Sequence, residues 1–171
     1  QFVSVQHALP PGTAVTIVTD NRAVLGVAMF NPHSLIAARF LDRKADTAID
    51  RTFLETRLGH ALALRERLYD RPCYRLVHAE ADGLPGVAID RYGAIAVAQI
   101  NTAGMELLAD DLAAALMAVT GAETVVLRGD SPIRRLEGLE ESVRVIGKAL
   151  PETVTVEENG IAYLADLATG Q

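Results

Sequence analysis

His78, Glu80 and Asp82 stand at alternate positions in "YRLVHAEADGLPGVAIDRYG" (74–93). On a continuous strand, alternate side chains share one face. An imidazole and two carboxylates on one face are a donor set for a divalent cation, the core of a small metal-dependent hydrolase. The competing reading is a strand that runs into a turn, with Asp82-Gly83 as turn residues. Asp82 has then left the strand and the common face is lost. Metal sites draw ligands from several elements, and no second histidine-rich patch accompanies this one. The turn is the preferred reading, and no metal ligand is assigned.

Gly83, Pro85 and Gly86 are read as backbone punctuation. A phosphate-cradling loop would need a helix N-terminus directly after it, and "VAID" (87–90) is extended in character. Two clusters of basic residues carry more. Arg39, Arg43 and Lys44 gather at the end of one strand, and Arg22 lies in a turn of the same module. Such residues supply phosphate contacts to RNA, or else a solvated rim paired with Asp42 and Asp46. Arg128, Asp130, Arg134 and Arg135 form the densest charged patch of the second half. A salt-bridged contact with a neighbouring domain is favoured there, with RNA phosphate second. Arg57, Arg65 and Arg67 can pair with Asp50, Glu55 and Glu66 along a helix, which makes them a solvated face.

The net charge of −6 excludes a protein that grips nucleic acid over its whole surface. The charge is uneven, net +2 over residues 1–71 and net −8 over 72–171. Nucleic-acid contact therefore belongs in the first part. Without Trp, and with four Tyr and four Phe, the chain lacks an aromatic sheet for stacking many bases. A single cysteine, Cys73, excludes an internal disulfide and fits a reducing cytoplasm. No apolar run is long enough to span a bilayer, and no secretory signal is read at the start. The opening Gln1, in place of methionine, reads as a fragment or a processed piece.

These groups need positioning elements. "TAVTIVTD", "AVLGVAMF" and "LIAARFL" read as three short strands joined by tight turns. Gly26 marks a bulge or bend in the second. Apolar positions at spacings of three and four predict a helix over 49–68, with Asp46 or Thr47 as N-cap and Pro72 beyond its end. "YRLVHA", "VAID" and "AIAVAQI" are strands, and one helix follows at about 104–119, capped by Asn101 or Thr102. "TVVLR" is a strand, Ser131-Pro132 opens a short helix, and "TVTVEENGIAYLAD" is a hairpin turning at Asn159-Gly160. A lone hairpin is marginal in water, so it is expected to pack on the central domain or on a second copy of the chain.

Several of these segments, in this order, resemble the large-subunit ribosomal RNA methyltransferase I family of S-adenosylmethionine-dependent cytosine-5 methyltransferases. "LGVAMFNPHSLIAARFL" resembles that family's PUA barrel, and "IDRTFLETRLGHALALRERL" its connecting helix. "YRLVHAEADGLPGVAIDRYG" is similar to the opening of its central α/β domain. "VLRGD", "RRLEGL" and "VTVEENGIAYLADLATGQ" resemble what precedes its catalytic domain. The resemblance implies an α+β chain with a partial PUA-like β-barrel (1–45), a connecting helix (46–71), a central α/β domain (72–150) and a hairpin (151–171). It implies that the catalytic domain begins at about residue 171, so that S-adenosylmethionine serves the full-length family while no cofactor is assigned to this chain. The family's catalytic cysteine motif is not matched by Cys73, so no catalytic role is carried over. The implied partners are ribosomal RNA and the catalytic domain; the hairpin adds a second copy of the chain as a candidate, and no membrane is expected. The implied role is recognition and positioning of RNA, and a stand-alone RNA-binding protein is the alternative.

Overall fold

The computed structural model describes residues 9–158 and 160–167. These residues form an α+β fold with three sheets. The β-branched run at the start forms β1 (Thr13–Val18), followed by β2 (Val24–Phe30) and β3 (Ala38–Asp42). They make an antiparallel sheet in the order β1-β2-β3. Two irregularities break its register. Ile17 faces Gly26 while Val18 faces Val24, so Leu25 is an extra residue on β2 beside the glycine that the sequence singles out. Ala28 faces Phe40 while Val27 faces Asp42, so Leu41 is an extra residue on β3. Such bulges bend a strand and re-aim side chains.

Helix α1 (Arg51–Glu66) buries Phe53, Leu54, Leu58 and Ala61. Its N-cap is Asp50, where the sequence pointed to Asp46 or Thr47. Asp50 has extended backbone, and its carboxylate accepts the Phe53 N–H at 3.0 Å. That is the geometry by which a cap satisfies an orphan donor of the first turn.

The central sheet holds β4 (Cys73–His78), β5 (Val87–Tyr92), β6 (Ile95–Ile100), β7 (Thr124–Gly129) and β8 (Ser142–Gly147), in that order. All neighbours are antiparallel except β6 and β7, which run parallel. A parallel pair needs a crossover, and the helical segment between them supplies it. The sequence predicts one helix here; the structure has two, α2 (Ala103–Leu107) and α3 (Ala109–Thr120). Leu108 leaves helical geometry at φ −99° and ψ 9°. Its amide donates to the Met105 carbonyl three residues back, a tighter bond than the α-helix uses. The break lets Asp110 and Asp111 occupy the first turn of α3, where carboxylates suit the helix dipole. Strand β8 is not read from the sequence; it lies at the sheet edge with Val143 and Val145 each 48% exposed.

The hairpin is β9 (Val154–Glu158) with β10 (Ile161–Ala165). Asn159 of the expected turn lies outside the described residues; Gly160 has φ 79°. Val156 is buried, and Arg71 pairs with Glu157, so the hairpin is held against its own chain.

One buried cluster joins Val27, Met29 and Leu41 of the first sheet to Leu54 and Leu58 of α1 and Leu112 and Leu116 of α3. The first sheet also meets α2 closely. A Cβ on Gly104 would lie 2.0 Å from the Met29 sulfur, so only glycine leaves room for that side chain. The Asn31 Nδ2 donates to the backbone and carboxylate of buried Glu137, at 3.1 and 2.8 Å.

Candidate nucleic-acid interface

Strand β4 ends at His78, and residues 79–82 form a 3-10 turn, so His78, Glu80 and Asp82 do not lie along one strand. Each carboxylate pairs with an arginine. Glu80 accepts from Arg39 at 3.1 Å. Asp82 accepts both guanidinium nitrogens of Arg65, at 2.8 and 2.7 Å, and the His78 backbone N–H at 2.7 Å. Among the described residues no group of three His, Cys, Asp or Glu side chains is placed to hold a metal ion. Asp82 thus fastens α1 to the end of β4, and Glu80 ties β3 to the same turn.

Burial works to raise the Asp82 carboxyl, but the Arg65 bonds and charge and the His78 N–H outweigh it and hold the group below its ordinary value. A folded-state value below the unfolded one stabilises the fold above the ordinary carboxylate range, and that contribution is lost as the pH falls from that range through the lower folded-state value. We therefore expect urea midpoints of the wild-type chain and Asp82→Asn to differ at about pH 6 and to converge below about pH 4. A constant gap across that range would contradict the assignment.

The four basic residues singled out in the first module have different surroundings. Arg39 is tied to Glu80. Arg22 sits exposed in the β1–β2 turn at φ 64°. Arg43 and Lys44 are exposed just past β3, and among the described residues no ion pair reaches either side chain. Because β2 and β3 are antiparallel, the end of β3 lies beside the start of β2. That topology brings Arg22, Arg43 and Lys44 to one end of the sheet.

A groove of about 640 Å³ opens at this same end, lined by Leu25, Phe40, Leu41, Asp42, Arg43 and Arg57. Both bulges border it. Arg57 reaches from α1, donates to the Leu41 carbonyl at 2.9 Å and to Asp42 at 3.0 Å, and lies 5.1 Å from the Phe53 ring. The sequence reading missed Phe40 and Leu25, and took Arg57 for a solvated helical face. Gly26, flagged as a bulge, and Arg43, singled out for its charge, were the signals pointing here.

The second set divides. Arg128 and Asp130 form an ion pair on a groove of about 980 Å³ between the central sheet and the hairpin. The Arg128 bond holds the Asp130 carboxyl below its ordinary value, against the opposing effect of burial. Arg75 and Asp90 line the same groove as a two-bonded pair at 2.9 Å. Arg134 is instead buried at 2% exposure and bound to Glu106, and Arg135 pairs with Glu141 at the surface. The four residues are not one patch.

Residues 1–43 match the model of a PUA-like domain. The PUA-like module thus carries Arg22, Arg39 and Arg43, with Lys44 just past the match. Across 93% of its length the chain is 39% identical to the Ribosomal RNA large subunit methyltransferase I of Alteromonas mediterranea. It is 38% identical to that of Aliivibrio fischeri over the same share. The chain spans about two-fifths of the length of these curated relatives, 41% in each case. Among solved structures, a putative SAM-dependent methyltransferase from Streptococcus mutans matches with a TM-score of 0.78 at 20% identity, over 96% of this chain and 42% of that one. A putative methyltransferase complexed with SAH matches with a TM-score of 0.78 at 21% identity. At such identities the likeness concerns the fold.

The described residues do not form a cradle for the methyl-donor cofactor that those names imply. Its usual site is a glycine-rich turn from a strand into a helix. Gly104, after β6, has the Met29 side chain in the space beside it, and Gly129, at the end of β7, has the Arg134 guanidinium. No helix of the described residues is long and apolar enough to cross a membrane.

Proposed function

We propose that this chain recognises and positions RNA within a ribosomal RNA cytosine-5 methyltransferase. The S-adenosylmethionine chemistry then belongs to the part of such proteins that this chain does not match. The observation that carries the reading is the likeness over 93% of the chain to proteins named for ribosomal RNA methylation. The PUA-like match supports it. So do the charge excess of the first 71 residues and the exposed Arg22, Arg43 and Lys44 at one end of the sheet. These cations meet phosphates of ribosomal RNA in the cytoplasm. Arg128 and Asp130, in the groove beneath the hairpin, face the catalytic domain.

The test is binding of a ribosomal RNA fragment by the 171 residues, followed by fluorescence anisotropy across a salt series. We expect the double substitution Arg43→Glu with Lys44→Glu to weaken binding at low salt and to flatten the slope of log K against log salt by about 1 per lost phosphate contact. An unchanged slope would remove these two residues from the interface. Absence of any salt-dependent RNA binding by the wild-type chain would defeat the whole reading.

A further inference from the structure

We propose that the groove formed by Leu25, Phe40, Arg43 and Arg57 is a subsite for one unpaired RNA base. The base stacks on Phe40, and its flanking phosphates meet Arg43 and Lys44. This rests on the RNA-recognition reading and adds a chemical class of ligand to it: single-stranded RNA at this point, not duplex.

Three features of the groove lead there. The first is the ring. Phe40 is 48% exposed in mid-strand, while its neighbour Leu41 is 4% exposed and its cross-strand partner Ala28 is fully buried. The extra residue on β3 takes the core position and leaves the ring in the groove. An exposed aromatic ring with apolar Leu25 beside it is a flat surface of the kind on which bases stack, whatever their identity.

The second is charge. Asp42 is the one carboxylate among the groove residues, and Arg57 neutralises it from α1. The positive charge of Arg43 is left over, and Lys44 follows it. The groove therefore has an apolar floor and a cationic edge, which complements a base with its phosphates and not an acidic or neutral apolar surface alone.

The third is rigidity. Arg57 is fixed at once by the Leu41 carbonyl, the Asp42 carboxylate and the Phe53 ring. The Gly26 Cβ position lies 2.2 Å from the Asp42 carbonyl oxygen, so β2 and β3 are pressed together at the groove's end. A platform built this way is ordered before its ligand arrives, which lowers the ordering cost of binding.

The scarcity of aromatic residues makes the experiment clean. The chain has no tryptophan, so Phe40→Trp installs a sole emitter within the groove. The probes are a short unpaired RNA oligonucleotide and a fully paired RNA duplex of the same composition. We expect the oligonucleotide to quench the emission of Phe40→Trp and the duplex to leave it unchanged. Phe40→Ala, checked for an unaltered circular dichroism spectrum, should bind the oligonucleotide about tenfold more weakly, while Phe40→Trp retains wild-type affinity. Salt-dependent binding with no quenching and no loss in Phe40→Ala overturns the base subsite and leaves the RNA-recognition reading intact. Equal quenching by the duplex overturns it too, since a paired base cannot reach the ring. Failure of wild-type chain to bind either RNA overturns both, and leaves the groove to a protein partner.

Discussion

Replacing Arg134 with alanine is expected to remove about 3 kcal/mol of folding stability, at the lower end of what breaking a buried ion pair costs. The guanidinium is 2% exposed and donates to three separate places. One nitrogen serves the Ile100 carbonyl at 2.9 Å and the Glu106 carboxylate at 2.8 Å. The other two serve the Glu140 carbonyl at 3.1 and 2.8 Å. One side chain thus ties the end of β6, helix α2 and the loop approaching β8. Alanine strands two carbonyls and a carboxylate and opens a cavity the size of the side chain. The Glu106 side chain is 32% exposed, so water recovers part of that carboxylate, which is why the lower figure applies. For a chain of this size the loss corresponds to a fall in melting temperature of roughly 6 to 12 °C. Arg134→Lys should recover little, because an ammonium offers no planar fork to reach acceptors on three elements. Thermal unfolding followed by circular dichroism reads both variants. A loss below about 1 kcal/mol would mean that Arg134 is no more than a surface ion pair.

Gly26→Ala should be at least as damaging, at about 3 kcal/mol or more, and its effect should centre on the PUA-like module. Gly26 has φ +143°, a conformation that residues with a side chain rarely adopt. Strain of that kind costs roughly 1–3 kcal/mol. The added methyl would also meet the Asp42 carbonyl oxygen at 2.2 Å and the Arg43 Cα at 2.8 Å, both backbone atoms that cannot swing aside. Overpacking adds about 1–3 kcal/mol. Amide exchange separates this from a general loss. Protection should fall first in β2 and β3, with β5 to β7 following only at the level of global unfolding. Full protection of β2 and β3 in the alanine variant would show that the strands part without cost.

How much of this was legible in the sequence depended on the range over which each signal acts. Helix α1 was readable because the period of its apolar residues survives burial, from Phe53 to Ala61. The Asp82-Gly83 turn was readable for the same local reason. That Arg65 would grip Asp82 was not, since the partner arrives from an element 17 residues away. Arg134 looked like any surface charge, and only the packing of α2, which brings Glu106 from 28 residues upstream, buries it. The break at Leu108 interrupts neither the apolar spacing nor the polar one, so it left no trace. Strand β8 was lost because an edge strand with solvent beyond it needs no continuous apolar run. Phe40 is the converse case. In "LIAARFL" it has the composition of a core residue, and the extra residue beside it, which decides otherwise, is a property of the pairing and not of the letters.

The Met29 side chain sits where helix α2 has Gly104, and Asn31 is anchored on Glu137. The consequence is felt by anyone who would borrow the PUA-like piece as a cassette. Excised at residue 45, it would carry Met29 and Leu41 into solvent and lose the carboxylate that secures Asn31. A new host would need its own helix with a glycine facing the methionine and an acceptor within reach of the amide. Transplantation therefore moves three distant stretches of chain or it moves nothing that folds.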